Sequence, residues 1–406
     1  MKSIYEYINY IDIDHVISIP TKDDRFWIHT LTDVRIFMLH NYFKVSENGE
    51  DWKDYKDYTL DKNQYIYVWT NDPHSFTIRG RFEAGGNILG LTRLEYEDKE
   101  QLDKYEFESA FYNSDIINAD QLDFSHCILA LGCFSGLFVG CTSLEKAPEL
   151  PTLKLAPDCY DGMFAGCVSL RIAPKLPAKL LATNCYGNMF QGCFSLIEPP
   201  ELPATKLYTR CYSNMFNNCT SLTKAPELPA TELASNCYNS MFMCCKSLRE
   251  APELPATKLS GNCYYSMFDK CTSLQKAPKI LPAMKLIGEC YYSMFDECKK
   301  LTEAPELPAT KLAKECYREL FQNCLSLTEA PVLPAVDLAS YCYAFMFWGC
   351  TRLKKAVVYA DPKYSKDWDE EYARNWMIYV KIKRGIIYKN PKLKIELPNE
   401  WEERPL

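Results

Sequence analysis

The chain has 406 residues, 47% hydrophobic and 24% charged, with a formal net charge of −7 and a pI near 5.5. That is ordinary globular composition, enough for a large core, and it excludes nucleic-acid binding through a broad basic surface. No run of about 18 apolar residues is present, so nothing reads as a membrane span.

Residues 1–30 read as a leader or attachment segment, or as a strand or helix packed on the next domain; Tyr5, Ile8, Ile11 and Ile13 could make one short apolar face. Acidic residues interrupt the segment, it has no secretory apolar core, and the first cysteine is Cys127. The expectation is a chain made in the cytoplasm without a signal peptide. Residues 31–104 read as a small β-rich, sandwich-like domain. Asn48-Gly49 between Val45 and Trp52 signals a hairpin, because both central residues of that turn need positive φ. Tyr65–Thr70 and Ser75–Phe82 are aromatic and β-branched, with Asn71-Asp72-Pro73 as the turn between them. Gly85-Gly86-Asn87-Ile88-Leu89-Gly90-Leu91 lacks the Lys-Ser/Thr pair of a phosphate loop and reads as a turn. Residues 105–132 contain a degenerate capping repeat, with Ala110-Phe111 and Ile117 at repeat positions.

Residues 133–355 hold one unit written nine times; the clearest copy is CYNSMFMCCKSLREAPELPATKLSGN, from Cys237 to Asn262. The lead cysteines Cys133, Cys159, Cys185, Cys211, Cys237, Cys263, Cys290, Cys316 and Cys342 recur every 26 residues, with one step of 27. A second cysteine follows each at an offset of eight, so 18 of the 20 cysteines are repeat positions. Such a period is the signature of a solenoid. Apolar residues at offsets 0, 1, 4, 5 and 8 fit one face of a short helix. Asp158, Asn184, Asn236 and Asn262 then stand as N-caps; Gly140, Gly166, Gly192, Asn218, Asn323 and Gly349 stand where a helix ends left-handed. An exceptionless column, Leu144 to Leu353, begins a short strand, which the proline four residues on limits to three or four residues. Nine coils at the ~4.8 Å strand spacing make a rod of roughly 43 Å. Residues 356–406 read as a C-terminal cap, with a polar helix from Ser365 to Met377 and Trp368, Trp376 and Trp401 covering the last coil.

Histidines occur only before the repeats, and the two cysteines of a unit lie about 12 Å apart along a helix. The thiols therefore read as a reduced, buried packing ladder, with no metal and no cofactor. Glu149, Glu201, Glu227, Glu253 and Glu306 share one offset. That regularity argues against a single catalytic pair and leaves a solvated acidic stripe or a binding face for a basic or polyhydroxyl partner. Beside it, Lys146, Ile172, Glu198, Lys224, Glu250, Lys276, Glu303, Glu329 and Lys355 occupy a strand position pointing away from the core. Tyr265 and Tyr292 replace small or polar residues of other copies and are further binding candidates.

The block Met-Phe-x-x-Cys-x-Ser-Leu followed by Ala-Pro-x-Leu-Pro-Ala-Thr, as in FNNCTSLTKAPELPATEL (Phe216–Leu233), resembles the BspA-like leucine-rich repeat of bacterial surface proteins and their phages. The resemblance covers residues 133–355 and departs from the consensus at Ile197-Glu198-Pro199-Pro200 and Arg318-Glu319-Leu320-Phe321. It implies an α/β solenoid of short parallel strands and short helices. It also implies a non-enzymatic recognition or adhesion protein, binding a protein or cell-surface glycan, with a phage tail or virion appendage as vehicle. The alternatives are an intracellular interaction scaffold and, more weakly, a carbohydrate-active enzyme.

Overall fold

The computed structural model describes residues 25–38, 42–93, 101–361, 385–393, 397 and 401–406. Nine strands come first: β1 Trp27–Thr30, β2 Val34–Met38, β3 Phe43–Ser46, β4 Lys53–Tyr55, β5 Asp57–Leu60, β6 Tyr65–Thr70, β7 Phe76–Arg79, β8 Phe82–Asn87 and β9 Ile116–Asp123. They form a six-stranded sheet, β4-β3-β6-β1-β8-β9, and a three-stranded one, β5-β2-β7. Alternate residues of β1, β2 and β6 are buried, as expected of sheets with one face in a core. Phe43 of one sheet meets Phe76 of the other nearly edge-on, 5.9 Å between ring centres. The larger sheet begins at Trp27, inside the stretch assigned to the leader; Tyr5, Ile8, Ile11 and Ile13 lie outside the described residues.

The hairpin at Asn48-Gly49 joins antiparallel β3 and β4. Its loop spans residues 47–52 instead of two residues. Asn48 Oδ1 accepts the amides of Glu50 and Asp51, both at 2.9 Å, and only Gly49 of the pair has positive φ, 79°. The glycine-rich stretch is a turn only in its second half, the short 3-10 turn Ile88–Leu91. Gly85 and Gly86 lie within β8, which pairs antiparallel with β1 and parallel with β9. A Cβ on Gly85 would fall 2.1 Å from the Trp27 ring, and one on Gly86 1.9 Å from the Arg25 carbonyl. Glycine is there to let β1 and its indole approach.

The repeats form a solenoid, but not of helices. In each coil the segment expected to be helical is a ladder of overlapping turns. Alternate amides bond three residues back, as Ser135 to Gly132 and Leu137 to Phe134; the amides between them reach the next coil, as Phe134 to Cys159 and Phe138 to Met163. Every fourth residue is left-handed, for example Asn184, Asn188 and Gly192 at φ 50°, 53° and 73°. An α-helix cannot contain such a residue at every turn, so the expectation of short helices is corrected. The residues read as caps are recurring turn positions.

The apolar columns still point inward. Tyrosines and phenylalanines stack coil on coil, with centroids 5.4–6.0 Å apart from Phe111–Phe138 to Tyr317–Tyr343. The second cysteine of each unit donates its S–H to the phenylalanine carbonyl of the coil before, as Cys193 to Phe164 at 3.1 Å and Cys271 to Phe242 at 3.0 Å. On the strand side, the proline four residues after the leucine leaves most coils with single parallel bridges, such as Ile172 with Glu198 and Glu250 with Lys276.

Residues 105–113 complete a coil before the first cysteine pair. The amides of Tyr105, Phe107, Ser109, Phe111 and Asn113 bond into the following coil. Ile116, not Ile117, fills the leucine column: Ile116 is fully buried and Ile117 is not. The β module lies against this coil. Phe26 packs on Phe111 at 5.9 Å, Arg79 Nη1 donates to the Asn113 carbonyl at 3.0 Å, and the Gly80 amide donates to Asp115 at 3.1 Å.

At the other end β10 Glu329–Leu333, β11 Lys355–Val358, β12 Gly385–Lys389 and β13 Trp401–Pro405 make a parallel sheet in that order. The cap thus adds two rungs to the strand side. Trp401 is buried; Trp368, Trp376 and the expected helix Ser365–Met377 lie outside the described residues.

Candidate binding face of the repeat array

Each coil turns outward at the buried leucine column, and the residues that follow it emerge on the strand side. Two columns there form parallel bridges between coils: Lys146, Ile172, Glu198, Glu250, Lys276 and Glu303, and further on Lys154, Leu180, Glu232, Lys258, Lys285, Lys311 and Asp337. Both are exposed, and both neutralise part of their charge from coil to coil. Lys276 pairs with Glu250 at 2.6 Å, Lys355 with Glu329 at 3.4 Å, Lys146 with Asp120 at 3.3 Å, and Lys258 with Glu232.

The glutamate column lies between them and behaves differently. Glu149, Glu201, Glu227, Glu253 and Glu306 are all exposed, and among the described residues none of them makes an ion pair. Lys175 and Lys279 interrupt the column, and the Lys279 amide donates to Glu253 at 3.3 Å. The strand side therefore presents a column of uncompensated carboxylates in five of the nine coils, flanked by columns that compensate part of their charge.

Two clefts open on this side. One of ≈ 980 Å³ runs across five coils and is lined by Ser169, Ser195, Ser221, Ser247 and Thr223, with Glu145, Arg171, Ile172 and Ile197. The other, of ≈ 550 Å³, sits between the third and fourth coils and is lined by Glu198, Glu201, Lys224, Glu227 and prolines. Sequence reasoning did not find either. The serine of Cys-x-Ser-Leu recurs openly in the repeat, but it was absorbed into the packing motif.

Tyr265 and Tyr292 are not part of this face. They lie in the turn ladder, half-buried, stacked on each other at 4.7 Å and 8°. Tyr292 OH donates to Glu319 at 3.2 Å, and the Arg318 guanidinium lies 5.5 Å from the Tyr292 ring and 5.7 Å from Phe345. Burial and the nearby Glu319 raise the Tyr292 phenol well above its ordinary range. These rings are engaged with their own coils.

The repeat thiols are buried and free. Burial pushes Cys193 and Cys350 up to about 12, far from the thiolate needed for nucleophilic or metal chemistry at neutral pH. Among the described residues no three His, Cys, Asp or Glu side chains sit together as a metal site would require. No helix among them is long and apolar enough to cross a membrane.

No family model and no curated protein matches the chain. A solved leucine-rich repeat protein from Bacteroides ovatus is similar at 19% identity over 86% of this chain and 89% of that one. The TM-score is 0.29, so this likeness carries no argument about fold; the solenoid rests on the chain's own bonding and stacking.

Proposed function

We propose that the protein is a non-enzymatic recognition protein that binds a protein or a glycan along the strand side of its repeat array. The observation that supports this is the row of unneutralised glutamates held in register beside columns that pair part of their own charge. A surface under stability pressure alone has no need for that difference. The partner presents basic or polyhydroxyl groups at matching intervals, and affinity sums over many small contacts. The vehicle, a phage tail or virion appendage, rests on the sequence resemblance alone.

Replacing Glu201, Glu227 and Glu253 together by Lys tests the proposal. Exposed charge contacts contribute about 0.2–1 kcal/mol each, so the triple variant should bind its captured partner about threefold to a hundredfold more weakly, and each single variant within about fivefold. Normal partner binding by a folded triple variant would place the functional surface elsewhere.

A further inference from the structure

The copy reading Ile197-Glu198-Pro199-Pro200 has proline where the other eight carry alanine. In the fifth coil the equivalent residue, Ala251, donates its amide to the Lys276 carbonyl of the next coil at 3.0 Å. Pro199 has no N–H and cannot make that bond to Lys224. Ile172 pairs with Glu198 and Glu250 with Lys276, whereas Lys224 bridges neither Glu198 nor Glu250. A cleft of ≈ 550 Å³ lies at this unbridged step. Its lining includes the buried Pro200 and Pro226 and the more accessible Pro199, Pro203 and Pro229. Its charged residues are Glu198, Glu201 and Glu227 against Lys224, all exposed, and none is in an ion pair among the described residues. The site is thus an apolar step edged by an excess of two negative charges.

We infer that this cleft is the anchor of the binding face and takes a lysine or arginine side chain from an extended segment of a protein partner. The aliphatic stem lies along the proline rings, as long basic side chains do on apolar surface, and the cationic head reaches Glu198, Glu201 and Glu227. Charge complementarity and the proline floor together select a basic side chain over a neutral sugar. The inference rests on the strand side being the binding face, and it names where on that face the strongest contact falls.

The test uses the full chain and a biotinylated ten-residue peptide of alternating lysine and alanine, with a glutamate–alanine peptide as control. Carbodiimide coupling should join the lysine peptide to Glu198, Glu201 and Glu227 ahead of Glu149, Glu253 and Glu306, as read by peptide mapping. E198Q/E201Q/E227Q should weaken the peptide roughly tenfold, the sum of three exposed contacts. Pro199→Ala keeps every carboxylate but removes a ring from the floor on which the aliphatic stem lies, and should weaken it severalfold. Coupling spread evenly along the glutamate column, with P199A binding normally, would overturn the anchor and leave the wider face standing. Coupling confined to other sides of the coil, or no binding beyond the acidic control, would overturn both.

Discussion

Two kinds of titratable residue in the coils, buried thiols and a half-buried carboxyl, behave oppositely. The cysteine columns lose nothing by burial at neutral pH, because the thiol is the neutral form and finds a carbonyl to bond, as Cys245 does with Phe216 at 3.1 Å. Their reactivity is suppressed with their ionisation. Alkylation of the native protein at pH 8 should label Cys244, the half-buried exception, ahead of every repeat cysteine; after denaturation all 20 should label. Disulfides in the intact mass would contradict this core. Asp296 is the counter-case. It lies in the turn ladder near Asp269 and Glu297, and desolvation, then those charges, push its carboxyl up to about 7. Gln322 and Asn323 donate to it at 3.2 and 3.5 Å. A raised folded value means that the folded chain holds a proton which the unfolded chain releases near 3.8. Stability from this group is therefore fully present below about pH 4 and is lost as pH rises towards 7. Asp296→Asn, the residue type found at this offset as Asn217, should raise the melting temperature at pH 8 and flatten its decline between pH 5 and 7. An unchanged pH profile would show that Asp296 ionises normally.

At the scale of the element, the turn ladder is the lesson. Offsets 0, 1, 4, 5 and 8 satisfy a helix, but they equally satisfy a ladder that repeats every four residues. The period, the inward columns and the proline-limited strands were therefore legible in the sequence, while the conformation carrying them was not. The deciding signal was present: Gly136, Gly162, Asn188, Asn214 and Ser240 recur at offset 3, mid-helix if this were a helix, where glycine and asparagine are disfavoured. Their φ values, 61°, 61°, 53°, 53° and 51°, explain them. The same logic applies to the candidate site. A column of like charges can be seen in sequence, but whether it is neutralised by its neighbours depends on which offsets lie side by side, and that needs the coil. Left-handed backbone costs about 1–2 kcal/mol in residues other than glycine and asparagine. Arg210, left-handed at φ 58° and exposed where Asn184 and Asn236 stand in neighbouring coils, should gain about 0.5–1 kcal/mol when replaced by Asn. Asn236→Val should lose about 1–2 kcal/mol. Equal melting of both variants and the parent would show that this position carries no left-handed strain.

For the whole molecule, the governing fact is that a solenoid has two ends and each must be closed. At the first end the β module does this with side-chain packing and side-chain donors, through Phe26 and Arg79. At the second end the strand side simply continues. β12 and β13 add rungs in register with β11, Lys355 beside Ile386 and Gly385 beside Trp401. The join is locked by Lys389, almost fully buried, whose Nζ donates to the Leu393 carbonyl at 2.7 Å and pairs with Glu403 at 2.9 Å. The last strand then presents Glu402, Glu403, Arg404 and Pro405, all exposed, charges and a proline that blunt an edge against further pairing. β11 has no such protection of its own: Ala356 and Val358 are buried and Val357 is half-buried. Deleting residues 385–406 should therefore uncover an apolar, hydrogen-bonding edge, and the truncated chain should run as larger species in size-exclusion chromatography or precipitate while keeping the repeat signal in circular dichroism. Glu403→Ala is the gentler companion. It leaves the buried Lys389 ammonium with one partner, so hydrogen exchange in residues 401–405 should rise before any change in the coils. A truncated chain that elutes like the parent and melts at the same temperature would mean that the array ends at β11 and that the last two rungs are an appendage.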